Sequence, residues 1–142
     1  MCFVLSVPSF NNHFYTVMSV DEYGDNGITL ASKSTFNGFT GYPASIDSLD
    51  EYAFIQWNIK PFNTRVALQL SSGAWKYTAG QSKGATASFL PWQQGRPSGS
   101  SCAALSPAGL TDVSCGQSAI NVLVEFECES PGVVFNGACL GT

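Results

Sequence analysis

The order of strand and helix signals in this 142-residue chain predicts an α+β fold built on a mostly antiparallel sheet. Three observations carry that expectation. In Arg65 to Ser71, RVALQLS, the residues Val66, Leu68 and Leu70 alternate with Ala67 and Gln69, the period of a strand. Ser48-Leu49-Asp50-Glu51 fits a capping box ahead of the apolar run Ala53, Phe54, Ile55 and Trp57. Asn121 to Cys128, NVLVEFEC, is a β-branched and aromatic run late in the chain.

Taken in order, Phe14 to Val20, FYTVMSV, reads as the first strand. DEYGDNG after it is a turn cluster. Ile28 to Thr35 is expected as a short helix, with Thr29 as its cap, although Ser and Thr are weak helix formers. FNGFTGYP is expected as loop. The capping box then starts a helix over Leu49 to Asn58. Its Ser48 side chain takes the Glu51 amide, Glu51 reaches back, and Pro61 lies just past the end. Gly73 and Trp75 begin a short extended piece. Gln81 to Ser101 is rich in Gly, Ser, Pro and Gln and has no period. So long an irregular stretch inside a compact domain is usually functional or pinned. Cys102 to Leu105 is short and apolar. No internal repeat appears. Residues 1–142 are expected to form one domain, with a core of about 13–129 and a Gly-rich extension over 130–142.

Hydrophobic residues make up 44% of the chain, which argues against disorder. Charged residues are only 11%, against about 25% in a typical soluble domain. Surface polarity must then come from Ser, Thr, Asn, Gln and Gly, a pattern suited to a secreted or cell-surface protein. Net charge is −4 and the six basic residues are scattered, so no basic patch is expected to hold nucleic acid. No apolar run approaches the roughly 20 residues of a membrane span. The start, MCFVLSVPSF, lacks the basic flank of a signal peptide, so a secreted chain would have lost its signal or be a piece of something longer. Five cysteines favour an oxidising compartment, and none forms C-x-x-C, which argues against a zinc ribbon. If four are bridged, the fifth is free or shared with another chain.

Catalytic chemistry finds little support. GQSKG, Gly80 to Gly84, matches the G-x-S-x-G pattern of a nucleophile elbow, but the one histidine, His13, lies far upstream of it. His13 reads as a polar residue at a strand start. Asp50 and Glu51 suit a helix N-terminus. Glu125, Glu127 and Glu129 alternate and share one face, expected to be a solvated face rather than a weak cation site. The expectation is a protein that is not an enzyme, with no catalytic residue, metal or cofactor.

Four segments stand in an order that belongs together: TFNGFTGYPASIDSLDEYAFI from Thr35 to Ile55, then VALQLS, then GAWKYTAG, then WQQGRPSGSSCAALSPAGLTDVSC from Trp92 to Cys115 with FECE after it. With these in register, roughly His13 to Glu129 resembles the C-type lectin-like domain. The resemblance implies two short helices, mostly antiparallel sheets and a long disulfide-pinned loop region. It implies a Cys102–Cys115 bridge closing about 14 residues, worth roughly 3 kcal/mol. It places Pro97 where the family often has a cis proline. In the family the last-strand cysteine, here Cys128, bridges to the first helix. Here that segment, ITLASKST, has no cysteine, so Cys128 is left to pair with Cys2 or Cys139, or to stay free.

The resemblance also locates the family's calcium-dependent sugar site. Its acidic or amide positions fall on Arg96, Ser98, Thr111 and Asp112. Calcium wants six to eight oxygens, Arg96 carries a cation, and of these four only Asp112 is a carboxylate. The usual site is therefore expected to be absent. Asp112 reads first as a loop-capping carboxylate, and otherwise as a remnant ligand or a partner of Arg96. Candidate ligand-binding residues are Gln93, Gln94, Arg96, Ser98, Thr111 and Asp112, with Phe89 nearby. Trp92 is expected in the core, and Trp57 and Trp75 are expected to be structural. The functional expectation is an extracellular binding or adhesion module that recognises a glycan or protein surface without calcium. The alternatives are a structural subunit of an extracellular fibre or matrix, joined to copies of itself through its cysteine-bearing ends, and an ice- or mineral-surface binder.

Overall fold

A computed structural model describes residues 9–10, 13–18, 35–36, 39–116, 121–127, 133–135 and 138–140. Its elements are β1 (Ser9–Phe10), β2 (His13–Met18), β3 (Thr35–Phe36), β4 (Phe39–Pro43), α1 (Leu49–Asn58), β5 (Thr64–Ser71), β6 (Ala74–Tyr77), β7 (Cys102–Ser106), β8 (Gly109–Val113), β9 (Asn121–Glu127), β10 (Val133–Phe135) and β11 (Ala138–Leu140).

The main path of the sheet runs β1-β2-β9-β5-β7-β8, with β4 also on β9 and β6 also on β5. Among these pairings only β5 with β9 is parallel. The last hydrophobic strand is the spine, as its composition implies: Val122, Leu123 and Val124 are fully buried. Helix α1 packs across one side. Ser48 caps it as expected by accepting the Glu51 amide at 3.1 Å, while Glu51 reaches back one residue beyond the cap, to the Asp47 amide at 3.1 Å. Ile55, Tyr15, Leu68, Tyr77, Leu105 and Leu123 meet in one core cluster.

Several expectations need correction. FNGFTGYP is not simply loop, because it supplies parts of β3 and β4. Gly41 permits this: a Cβ there would lie 2.6 Å from Val124 Cγ1, so only glycine lets β4 lie against β9. Gly109–Val113 is a strand, so Asp112, read from the sequence as a loop-capping carboxylate, stands on a strand. This strand pairs with β7 in unbroken register from Cys102↔Val113 to Ser106↔Gly109. Of the helix expected over Ile28–Thr35, all but Thr35 lies outside the described residues, and Thr35 opens β3. Cys2 and Cys128 also lie outside them, and Cys139 is described only as a backbone position of β11 opposite Val134, so their pairing stays open. Trp57 is not structural in the sense expected, since it projects from α1 with 80% of its surface exposed.

Candidate functional site

The long segment from Gln81 to Ser101 forms no helix or extended strand and is held at both ends. Its middle is anchored by aromatic packing. Trp92 meets Trp75 edge-on at 4.9 Å, and Phe89 meets Tyr52 at 5.6 Å. Trp92 and Trp75 thus pack in the core as expected. Beside Trp92 the chain straps the outer edge of β8: the Leu110 amide donates to Pro91 O at 2.9 Å, and the Gln93 amide to Leu110 O at 2.8 Å. Gly109 makes the approach possible. Its φ is +125°, and a Cβ there would lie 2.6 Å from Pro91 O.

The strap then turns through a cis Arg96–Pro97 bond, and Arg96 comes back over β8. Its Nη1 lies 3.2 Å from Asp112 Oδ1, and it donates to Ser98 Oγ at 3.0 Å and to the Asp112 carbonyl at 3.4 Å. The Asp112 side chain is fully buried. It also accepts the Ser100 amide at 2.7 Å and the Ser98 hydroxyl at 3.3 Å. Desolvation opposes its ionisation. The Ser100 and Ser98 amides and the guanidinium outweigh it and hold the pKa down to about 2. Asp112 therefore combines the two roles weighed for it, a cap for loop amides and the partner of Arg96. The Cys102–Cys115 bridge, with Cα atoms 5.1 Å apart, locks the start of β7 to the segment after β8.

Of the six candidates, Gln93, Arg96, Thr111 and Asp112 line one open groove of about 450 Å³. Ser98 is exposed and bonded to Arg96 and Asp112, and neither it nor the exposed Gln94 is part of the lining. The groove also holds Phe62 and Asn63, which sequence reasoning passed over. Phe62 is 74% exposed in the turn after α1. A large apolar residue directly after the helix-ending Pro61 was the available signal.

Two further expectations fail near the first turn of α1. The Glu125–Glu127 face is only partly solvated: Glu125 is 2% exposed, while the Glu127 side chain keeps 28%. Glu125 Oε1 accepts the Ser45 amide at 3.1 Å, and its Oε2 contacts His13 and Tyr42. Glu129 lies outside the described residues. His13 is accordingly more than a polar strand start, since it bridges Glu125 and Glu127.

This architecture, a helix against a mainly antiparallel sheet with a disulfide-pinned irregular lobe, is the C-type lectin-like fold. Human lithostathine superposes with a TM-score of 0.68 at 20% identity, over 86% of this chain and 88% of that one. The mouse scavenger receptor C-type lectin carbohydrate-recognition domain gives 0.70 at 17% identity, over 88% and 96%. SPL-1, solved as a GlcNAc complex, gives 0.69 at 14%, over 87% and 94%. No family model and no curated protein matches the sequence.

Proposed function

We propose that this chain is an extracellular lectin-like binding module that recognises a glycan through the Phe62–Arg96–Thr111 groove without calcium. The observation that carries the reading is the guanidinium at Asp112. Calcium needs six to eight oxygens, several of them carboxylates. Here both Asp112 oxygens are engaged, one of them by a permanent cation. Among the described residues no three His, Cys, Asp or Glu side chains converge as metal ligands. The donor set does not fit the ion.

The groove offers other means of holding a sugar. Phe62 presents an aromatic face for the apolar side of a ring, and Gln93, Asn63 and Thr111 offer donors and acceptors for hydroxyls. Arg96 and Asp112 neutralise each other, which suits an uncharged glycan. The GlcNAc bound by SPL-1 is in keeping with such a ligand. A glycan microarray probed with calcium and again with EDTA tests the reading. Equal binding in both, lost at least ~10-fold in Phe62→Ala, is expected. Binding that vanishes with EDTA overturns it.

A second reading has its own observation. Leu49, Trp57 and Phe62 are 65%, 80% and 74% exposed, which would suit contact with a neighbouring copy in an extracellular fibre or matrix. Mass photometry separates the two: a strict monomer at all concentrations removes this alternative.

A further inference from the structure

Strand register brings an unusual set of side chains together beneath α1. His13 pairs with Glu127 and Tyr15 with Glu125 across β2 and β9, so all four point to one face. Tyr42 of β4 lies opposite Glu125 on the other flank. Helix α1 adds Glu51, whose first-turn position turns it inward. Glu51 and Glu125 are 6% and 2% exposed.

The hydrogen bonds knit these elements into one unit. His13 Nδ1 contacts Glu125 Oε2, and His13 Nε2 lies 3.3 Å from Glu127 Oε1. Tyr15 donates to Glu51 at 2.6 Å. Tyr42 donates to Glu125 at 3.1 Å and to Glu127 at 3.2 Å. Backbone amides of Ser45 and Asp47 donate to Glu125 and Glu51, each at 3.1 Å. Gln81, at the start of the long loop, donates to Glu127 at 3.0 Å, and Ser45 donates to Ala79 O at 2.8 Å. Two adjoining cavities of about 80 and 180 Å³ share His13, Asp47, Glu51 and Gln81 in their walls. Both carboxylate oxygens of Glu51, Glu125 and Glu127 already have partners, so the cluster satisfies itself rather than awaiting a ligand.

Its charge balance depends on protons. Among the described residues, the titratable groups that face it are His13 and Tyr15 from β2, Tyr42 from β4, Asp47 from the segment before the helix, Glu51 from α1, and Glu125 and Glu127 from β9. β1 contributes Phe10, and the long loop the neutral Gln81 and Ser82. Among the described residues, four carboxyl groups thus meet one imidazole, and neither lysine nor arginine lines the cavities.

We propose that this cluster is a pH-sensitive clamp, tightened by acid and loosened by base, that fastens β2, α1 and the root of the long loop to β9. Burial, then the charge of Glu125, pushes Glu51 up to about 7. The hydrogen bond to Glu125 raises His13 despite its desolvation. Both folded-state values lie above the ordinary 4.5 and 6.5. A group raised in this way contributes its full stability below its ordinary value and loses it as pH climbs through the folded one. The loss therefore starts above 4.5 with Glu51 and is joined above 6.5 by that of His13. Deprotonation leaves uncompensated carboxylates facing one another under the helix. The clamp is a property of the folded chain alone and stands or falls without any glycan.

Thermal melts and one NMR titration test it. Between about pH 5 and 8.5 the melting temperature is expected to fall by roughly 5 °C. Glu51→Gln, which cannot ionise, should remove most of that slope, separating the clamp from general charge repulsion. Amide exchange at Ala79 and Gln81 should rise with pH beyond its intrinsic base catalysis. The chain has a single histidine, so its ring signals report His13 unambiguously, and they should titrate above 6.5. A flat or rising melting profile, an unchanged slope in Glu51→Gln, or a His13 midpoint at or below 6.5 overturns the proposal. Should Glu51→Gln not fold, the wild-type histidine titration decides alone.

Discussion

Replacing Asp112 by alanine is the sharpest probe of how the irregular lobe is held. The side chain is fully buried and accepts the Ser100 amide at 2.7 Å, the Ser98 hydroxyl at 3.3 Å and Arg96 Nη1 at 3.2 Å. Alanine strands the Ser100 amide and leaves the guanidinium unpaired. Hydrogen bonds to a charged group contribute about 1.5–3 kcal/mol each when buried. Arg96 is 38% exposed on its side chain and can rehydrate, so its share is discounted to about 1 kcal/mol or less. The expected total is about 3 kcal/mol, or roughly 10 °C in melting temperature for a chain of this size. Asp112→Asn keeps the shape and one acceptor and should cost about half as much. Urea unfolding followed by tryptophan fluorescence measures both, with Trp92 and Trp75 reporting from beneath the strap. Asp112→Ala within about 0.5 kcal/mol of wild type would refute the role given to this carboxylate.

Acid titration carries a related expectation. The Asp112 pKa is lowered from 3.8 to about 2, so its stabilisation is complete above about pH 4 and fades as pH falls toward 2. Near-ultraviolet circular dichroism should show the lobe loosening in that window in wild type but not in Asp112→Asn. Joint replacement of Cys102 and Cys115 by alanine opens a link between residues 13 apart in sequence and should cost about 3 kcal/mol in denaturant unfolding. Gly109→Ala meets Pro91 O at 2.6 Å with φ at +125°, so exchange of the Leu110 and Gln93 amides should accelerate at least ~10-fold as the strap lifts.

What the sequence made legible followed from local physics. The capping box placed α1 with its ends correct, and the alternation in RVALQLS and the run NVLVEFE placed β5 and β9. β4 and β8 escaped because their strand character is tertiary. Gly41 and Gly109 look like loop residues, yet each is there because a neighbouring chain passes too close for a Cβ. In the groove, Arg96, Thr111 and Asp112 were anticipated from the resemblance, whereas Phe62 and Asn63 join them only through the turn after α1. The Glu125–Glu127 face was rightly assigned to one side of β9, but Glu125 was wrongly assigned to water. Period-two alternation says which residues share a face, and nothing about what covers it. Here Glu51 and Tyr42 cover it, and they come from distant parts of the chain.

The proposed calcium-independent reading rests on the Arg96 guanidinium that pairs with Asp112. Thermal unfolding in calcium chloride against EDTA tests it directly, since any ion bound to the folded state alone raises the melting temperature with concentration. Superimposable curves are expected for wild type at millimolar calcium. A calcium-dependent rise that disappears in Asp112→Asn would contradict the reading.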